Sequence, residues 1–331
     1  GYADNATHPI GTGPYKFVEY IPGQKVVLEK NEAYSTLAER TPDIDRVEFI
    51  VMTDENARLM GLKSGSLDIA GIGSENIEAL GGEFNILEGP QNMVQILGLN
   101  NLVEPLNDLR VRQAIAYAVD KDEIIDAVAN GSGTRVDSFL SPSMAYYYNN
   151  NLNVYEQDFE KSKELLAEAG YPDGFTITVT IPSNYQFHVD TGQVLKDQLA
   201  NVGINLEIQL VEWAQWLEGV YTNRDYETTI IGHSGKLDPN DFLNRFESNY
   251  GRNYFNFSNS DYDKLIADGI STSKPEERKV FYDEAQQFLI DQAASIYIMD
   301  PSLVFAVAKN IEGLEIYPVT YFNLGELRII D

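Results

Sequence analysis

The stretch Phe175–Ile181, FTITVTI, alternates apolar residues with threonine, and Ile204–Leu210, INLEIQL, alternates apolar residues with other polar ones. Alternation with a period of two predicts a β-strand at each place. Between the two strands, residues 194–202 carry apolar side chains at helical spacing. Strand, helix and strand in this order predict a β-α-β unit with a right-handed crossover, which is typical of an α/β protein.

A further predicted strand, Tyr226–Ile231, leads into a polar loop. The hydrophobic run stops at its end, and polar residues follow within a few positions. Groups just past the carboxyl end of a strand lie where open α/β sheets bind their ligands. We therefore expect this loop to contribute to a ligand site. Its candidate residues are Gly232, His233, Ser234, Lys236 and Asp238.

Two tryptophans form a second group of candidates. Trp213 and Trp216 are three residues apart at the start of the predicted helix Glu212–Tyr221, so one helix face could carry both. Trp213 directly follows a strand, at the edge where the polar loop is expected, and is the better ligand candidate. Aromatic walls with a few polar groups are typical of small-molecule pockets. Trp216 could equally be a core residue.

Elsewhere the pattern predicts a β-hairpin within Thr12–Lys30. A strand, a helix and a strand across residues 47–70 suggest a second parallel crossover. A long helix over 275–293 and strands at 295–299 and 303–307 complete the chain. At 331 residues the chain exceeds what one hydrophobic core usually organises, so we expect two lobes.

The chain has 51 acidic and 24 basic residues, for a formal charge of -27. A field of this sign repels phosphate backbones and argues against nucleic acid as a partner, while high net charge favours a soluble monomer. There is no cysteine, so disulfides, thiolate metal sites and a cysteine nucleophile are excluded. No run approaches the roughly 18 apolar residues of a membrane span.

Catalytic chemistry finds little support in the motifs. Gly232–Lys236, GHSGK, nearly spells the nucleophile elbow G-x-S-x-G, but a lysine replaces the last glycine. His8 and His188 have no spacing that marks either as a triad base. A serine hydrolase using Ser234 is therefore the less favoured alternative. Because no metal or dinucleotide motif occurs, no metal and no cofactor are expected.

Three segments resemble a known family. They are HPIGTGPYKFVEYIPGQKVVLEKNEAY (His8–Tyr34), PLNDLRVRQAIAYAVDKDEII (Pro105–Ile125) and KSKELLAEAGYPDGF (Lys161–Phe175). They are similar, in the same order, to segments of the extracytoplasmic solute-binding proteins of bacterial ABC importers, in the peptide and nickel class, family 5. The resemblance extends over nearly the whole chain and corresponds to the C-terminal two thirds of such proteins.

This resemblance implies a two-lobed periplasmic-binding-protein-like α/β fold with an extra lobe-one subdomain, the N-terminal part of lobe one being absent. Lobe one would comprise residues 1–99 and 300–331, and lobe two residues 100–299. The implied role is that of a non-enzymatic receptor, which captures an oligopeptide or dipeptide between its lobes and delivers it to a membrane permease. The implied location is extracytoplasmic, either periplasmic or lipid-anchored at the outer face of the cell membrane.

The sequence departs from the family pattern at Lys236. Peptide-binding members commonly carry an aspartate there, which pairs with the amino terminus of the peptide. A lysine beside a bound ammonium would be unfavourable in a closed, water-poor cleft. Its own ammonium could instead pair with a ligand carboxylate or with Asp238. The alternative is therefore the same receptor role for a non-peptide solute, such as an acidic, sugar-like or metal-chelate ligand.

Overall fold

The structure is a computed structural model, and it describes residues 5, 7–34, 42–235, 237–319 and 321–330. Lys236, one of the predicted site residues, lies outside the described residues. The chain divides into two compact units, residues 1–89 with 303–331 and residues 90–302.

The strands and helices are, in chain order, β1 (Tyr15–Ile21), β2 (Lys25–Lys30), β3 (Arg46–Ile50), α1 (Glu55–Ser64), β4 (Ile69–Gly71), β5 (Phe84–Gly89), β6 (Met93–Leu99), α2 (Leu109–Ala118), α3 (Lys121–Ala129), β7 (Gly133–Arg135), α4 (Phe159–Glu168), β8 (Phe175–Pro182), α5 (Gln186–Ala200), β9 (Ile204–Val211), α6 (Trp213–Trp216), β10 (Thr228–Ser234), α7 (Asn240–Leu243), α8 (Ser260–Ser271), α9 (Pro275–Asp291), β11 (Ser295–Pro301), β12 (Leu303–Ala308), β13 (Ile311–Glu312) and β14 (Arg328–Ile329).

The described part of the first unit contains three small antiparallel sheets, β1-β2-β3, β4-β12-β5 and β13-β14. The predicted hairpin within Thr12–Lys30 is confirmed, because β1 and β2 pair antiparallel. The parallel crossover predicted across residues 47–70 is wrong. Strand β3 pairs with β2, whereas the three-residue β4 pairs antiparallel with β12 from the other end of the chain. Local periodicity cannot reveal so distant a partner.

The second unit is built around a mixed sheet whose described strands have the order β7-β11-β6-β10-β8-β9. Consecutive side chains of a strand point to opposite faces, and each face of this sheet has its own core. Leu97 and Ile230 pack with helices α2 to α5 on one face. Ile96 and Ile231 pack on the other face into a core rich in aromatic residues, with helices α6 to α9. The sheet is therefore covered on both sides.

The β-α-β unit predicted from FTITVTI is confirmed. Strands β8 and β9 pair in parallel from Phe175 opposite Ile204 to Pro182 opposite Val211, and α5 connects them. The helix predicted over 212–221 begins as α6 and continues as a π-helical turn over residues 217–222.

The compact units do not divide at the residues predicted for the lobes. Strand β6 lies between β10 and β11, so residues 93–99 belong to the sheet of the second unit. Residues 300 and 301 belong there as well, because Asp300 pairs with Thr134 and Pro301 with Gly133. The divisions fall at 89/90 and 302/303 rather than at 99/100 and 299/300. Their assignment as receptor lobes stays a prediction.

One edge of this sheet collects the ends of several strands. Strands β8, β9 and β10 run parallel to one another, and β11 runs the same way, since both β10 and β11 are antiparallel to β6. All four therefore finish at one edge, which we call the carboxyl edge. Within the described ranges, no helix is both long enough and apolar enough to cross a membrane.

Candidate functional site

The carboxyl edge brings together residues that are far apart in the sequence. Tyr185 follows β8, Trp213 follows β9, Ser234 ends β10, and Asp300 is the penultimate residue of β11. Ligands of open α/β sheets bind outside the carboxyl ends of their strands. This edge is therefore the candidate binding site, and all four of these residues belong to the second unit.

A row of aromatic rings lies along the edge. Trp213 stacks on Trp216 with 5.2 Å between ring centroids and an interplanar angle of 4°. Tyr185 meets Trp213 edge-on at 5.6 Å and 84°. The side chains of Trp213 and Tyr185 remain 37% and 41% exposed, whereas Trp216 is 2% exposed. A partly exposed indole held by stacking offers a rigid apolar surface to a ligand.

Trp216 belongs to the core, which was one of the two interpretations open from the sequence. Its ring Nε1 donates a hydrogen bond to Thr229 Oγ1 at 2.9 Å, so the indole is fixed against strand β10. A buried tryptophan normally finds such a partner. Trp216 therefore supports Trp213 from behind and offers almost no surface to a ligand itself.

Because side chains alternate along β10, His233 lies on the same face as Ile231 and packs into the aromatic core. It is 9% exposed, its Nε2 is 2.8 Å from the hydroxyl of Tyr254, and its ring meets Phe139 edge-on. Burial holds its pKa well below the usual value, and the nearby charge of Arg245 adds to this effect. His233 is thus a neutral structural residue of the site rather than a group exposed to ligand.

Gly232 and Ser234 lie on the opposite face of the strand from His233. Gly232 is directly opposite Gln95 on β6, and a Cβ there would come within 2.6 Å of Met93 Sδ. The Met93 side chain occupies the space that a side chain at position 232 would need. Ser234 is exposed at the edge.

Hydrogen bonds hold the carboxylate of Asp238 in place within the polar loop. Its carboxylate accepts a hydrogen bond from Arg278 at 2.7 Å and from the backbone N–H of Asn240 at 2.9 Å. Burial is the largest single influence and opposes ionisation, but the hydrogen bonds from Arg278 and Asn240 and the charge of Arg278 together outweigh it, so the pKa of Asp238 lies below its usual range. Arg278 on α9 therefore anchors the loop, whereas the predicted pairing of Asp238 with Lys236 lies outside the described residues.

A buried polar network lies beneath the edge and was missed by sequence reasoning. Gln95 Nε2 is 2.9 Å from both His188 Nδ1 and Thr191 Oγ1. Burial lowers the pKa of His188 to about 4, so its ring is neutral at pH 7. A single polar residue in the apolar strand Met93–Leu99 was the available signal for this network. Tyr185 could have been found by the same strand-end rule that selected Trp213.

Asp300 is a second group that the sequence did not single out. Its carboxyl group is buried and accepts hydrogen bonds from the hydroxyl of Ser141 and from the backbone N–H of Met93. Burial raises its pKa to about 7, although both hydrogen bonds act in the opposite direction. The carboxyl edge therefore contains an acid that titrates near neutral pH.

The described contacts give Ser234 no catalytic base. One ring nitrogen of each of the three histidines lies within hydrogen-bonding distance of Thr7, Gln95 or Tyr254. His233 also faces away from its neighbour Ser234 because successive side chains of a strand alternate. A nucleophilic serine requires a base within hydrogen-bonding reach, so this geometry does not favour the hydrolase alternative. Among the described residues, no three acidic or histidine side chains cluster as a metal site.

Aromatic side chains at the carboxyl edge of an α/β sheet are typical of a small-molecule binding site. The chain belongs to the bacterial extracellular solute-binding proteins, family 5, whose middle-region model matches residues 1–254. The family prediction made from the three sequence segments is therefore confirmed.

Individual relatives cover nearly the whole chain. The oligopeptide-binding protein AppA of Bacillus subtilis is 28% identical over 334 residues, which cover 95% of this chain and 61% of AppA. Heme-binding protein A of Haemophilus influenzae is 31% identical over 330 residues, which cover 95% of this chain and 59% of the relative. The chain thus spans about three fifths of the length of these curated relatives.

A solved structure gives the same picture of the fold. The crystal structure of the ABC transporter substrate-binding protein CtaP from Listeria monocytogenes matches with a TM-score of 0.91 and 28% identity. The match covers 99% of this chain and 68% of CtaP. The predicted α/β fold of the periplasmic binding proteins is confirmed.

Proposed function

We propose that the protein is the substrate-binding receptor of a bacterial ABC importer. It works outside the cytoplasm, binds an oligopeptide or dipeptide and delivers it to a membrane permease. Family membership and the names of AppA and CtaP support the receptor role. The name of AppA supports a peptide as the ligand.

The observation that carries this proposal is the Trp213 indole at the carboxyl edge. It is partly exposed, stacked on a buried tryptophan and flanked by Tyr185. A ligand that covers this surface gains apolar burial and loses little conformational entropy at the protein side, because the stack already fixes the ring.

A non-peptide solute is the second candidate. The sequence places a lysine at position 236, where peptide binders of the family commonly have an aspartate. Heme-binding protein A, a relative at 31% identity, is named for a ligand that is not a peptide. In this alternative the receptor role is the same and the ligand offers an acidic or other acceptor group to the lysine.

The test is native mass spectrometry of the purified protein, followed by calorimetric titration with a ligand panel. The panel contains dipeptides, longer peptides, heme, an acidic sugar and a nickel chelate. Trp213→Ala should weaken the binding of the preferred ligand at least tenfold, or about 1.4 kcal/mol. Leu102→Ala is the control. Leu102 is exposed and follows the carboxyl end of β6, which lies at the edge of the sheet opposite the candidate site because β6 runs antiparallel to β10 and β11. Failure of every ligand class to bind the wild-type protein would overturn the receptor role.

A further inference from the structure

The helix that follows strand β9 changes its hydrogen-bonding pattern just after the two tryptophans. Residues 213–216 are α-helical, and residues 217–222 form a π-helical turn. At the end of this turn the backbone N–H of Asn223 donates to Glu218 O at 2.9 Å, so the bond spans five residues instead of four. A π-helical turn holds one residue more than an α-helical turn, and such turns occur frequently at functional sites.

The wider turn determines which residue lies against Trp216. Successive residues of an α-helix are about 100° apart around its axis, so residues five apart differ by about 140°. A turn with bonds between residues five apart brings those residues close to alignment. Tyr221 lies five residues after Trp216, and its ring stacks on the indole with 6.1 Å between ring centroids and an interplanar angle of 28°. In a continuous α-helix Tyr221 would point away from Trp216.

Tyr221 is itself held from the core side. Its ring contacts the buried ring of Tyr254, with 5.4 Å between the centroids, and its hydroxyl accepts a hydrogen bond from Arg245 Nη1 at 3.4 Å. Trp216 in turn stacks on Trp213. Ring contacts therefore run without a break from the buried Tyr254 to the partly exposed Trp213 of the candidate site.

Gly219 lies within the π-helical turn and makes no packing contact that a longer side chain would disturb. A Cβ at this position would meet nothing within 4 Å. Position 219 therefore accepts a side chain, and its removal shortens the turn by one residue without deleting a packed side chain. The length of the turn and the packing of its residues are thus separable by mutation.

We propose that the π-helical turn positions the aromatic surface of the binding site, because its additional residue places Tyr221 against Trp216 and so holds the Trp213 indole in the orientation that a ligand meets. Tyr221 is thus a positioning residue that acts on the ligand through the two tryptophans. This inference rests on the proposed receptor function. A surface whose rings are fixed by packing before the ligand arrives loses little conformational freedom on binding.

Four variants separate the length of the turn from the ring that it places. Deletion of Gly219 shortens the turn by one residue, so that the helix can continue as an α-helix. Gly219→Ala is the matched control, because it keeps the length and adds a methyl group in open space. Tyr221→Leu removes the ring at unchanged length, and Tyr221→Phe keeps the ring without the hydroxyl. Thermal unfolding verifies that each variant folds, and Tyr221→Leu decides the question if the deletion does not.

Two measurements are made on each folded variant. Native mass spectrometry quantifies retention of the dipeptides, longer peptides, heme, acidic sugar and nickel chelate of the ligand panel. Acrylamide quenching of tryptophan fluorescence without ligand reports on the stack alone, because the chain has only two tryptophans and both belong to it. The Gly219 deletion and Tyr221→Leu should weaken retention of the preferred ligand by about threefold or more and increase quenching. Gly219→Ala and Tyr221→Phe should match the wild type in both measurements.

The outcomes separate the two proposals. If Tyr221→Leu retained the preferred ligand as well as the wild type does, or showed unchanged quenching, the positioning role would be overturned and the receptor role would stand. A merely structural contact would lower the unfolding temperature without changing retention by the folded variant. An equal loss of retention in Gly219→Ala and in the deletion would overturn the role of the turn length. If the wild type retained no compound of the panel, both proposals would be overturned.

Discussion

The indole of Trp216 is fixed by its hydrogen bond to Thr229 Oγ1, and Trp213 stacks on it with nearly parallel rings. The two tryptophans therefore have different roles: Trp216 is a core residue, and Trp213 is a partly exposed residue at the surface. The arrangement predicts that substitutions at the two positions have different consequences.

Trp216→Phe should lower the free energy of unfolding by about 1–2 kcal/mol, since it removes a buried hydrogen bond and part of the stack. Trp213→Ala should change the free energy of unfolding less, because its ring is partly exposed. Urea denaturation of both variants measures the difference. A larger loss for Trp213→Ala than for Trp216→Phe would contradict the assignment of Trp216 to the core.

The raised pKa of Asp300 predicts that the stability of the folded protein falls as the pH rises. Its carboxyl pKa is about 7 in the folded protein, above the ordinary value of 3.8, so between about pH 4 and about pH 7 the folded state keeps a proton that the unfolded state has released. The free energy of unfolding that Asp300 contributes is therefore lost as the pH increases from about 4 to about 7, with a slope approaching 1.4 kcal/mol per pH unit.

Asp300→Asn should remove this slope while keeping the hydrogen-bonded shape of the site. The measurement is urea denaturation at several pH values, with wild type minus variant as the quantity of interest. Asp225→Asn, at an exposed carboxylate of the same unit, is the control. A difference that is flat across this window would show that Asp300 is not held protonated by burial.

The lowered pKa of His188 predicts the opposite dependence of stability on pH. Burial lowers its pKa from 6.5 to about 4, so the unfolded state binds a proton that the folded state rejects. Stability from this residue is present above pH 6.5 and is lost as the pH falls toward 4. His188→Gln should therefore reduce the acid sensitivity of unfolding, measured by the same titration. Stronger acid sensitivity in this variant would contradict the buried, neutral ring.

The sequence identified the parts of the fold that local periodicity encodes. FTITVTI predicted β8 and its parallel partner because both strands alternate and one helix connects them. The position of Trp213 at a strand end followed from the same pattern. The neighbours of β10 were not predictable in this way, since β6 is more than a hundred residues away and its pairing depends on the tertiary fold.

The errors at the site have identifiable causes. The alternation of β10 already places His233 on the face of the buried Ile231, so its core position could have been inferred. The strand-end rule that selected Trp213 also applies to Asp300, which directly follows the predicted strand 295–299. The burial of its carboxyl group and the raised pKa that follows depend on the tertiary fold and have no signal in the sequence.

The ion pair between Asp238 and Arg278 predicts a modest and salt-dependent contribution to stability. The Asp238 side chain is 44% exposed, so solvent screens the pair and its coupling should not exceed about 1 kcal/mol. A double-mutant cycle with Asp238→Ala and Arg278→Gln isolates this coupling from the other contacts of Arg278, which include the hydroxyl of Tyr282.

Urea is the suitable denaturant for this cycle, because it is uncharged and leaves the ionic strength free to vary. Raising the salt from about 0.1 M to about 1 M shortens the screening length from roughly 10 Å to roughly 3 Å, and the coupling should shrink accordingly. A coupling that stays constant over this range would mean that Arg278 holds the polar loop by hydrogen-bond geometry rather than by charge. Asp238→Asn would then be as stable as the wild type, since its amide oxygen can still accept the bond.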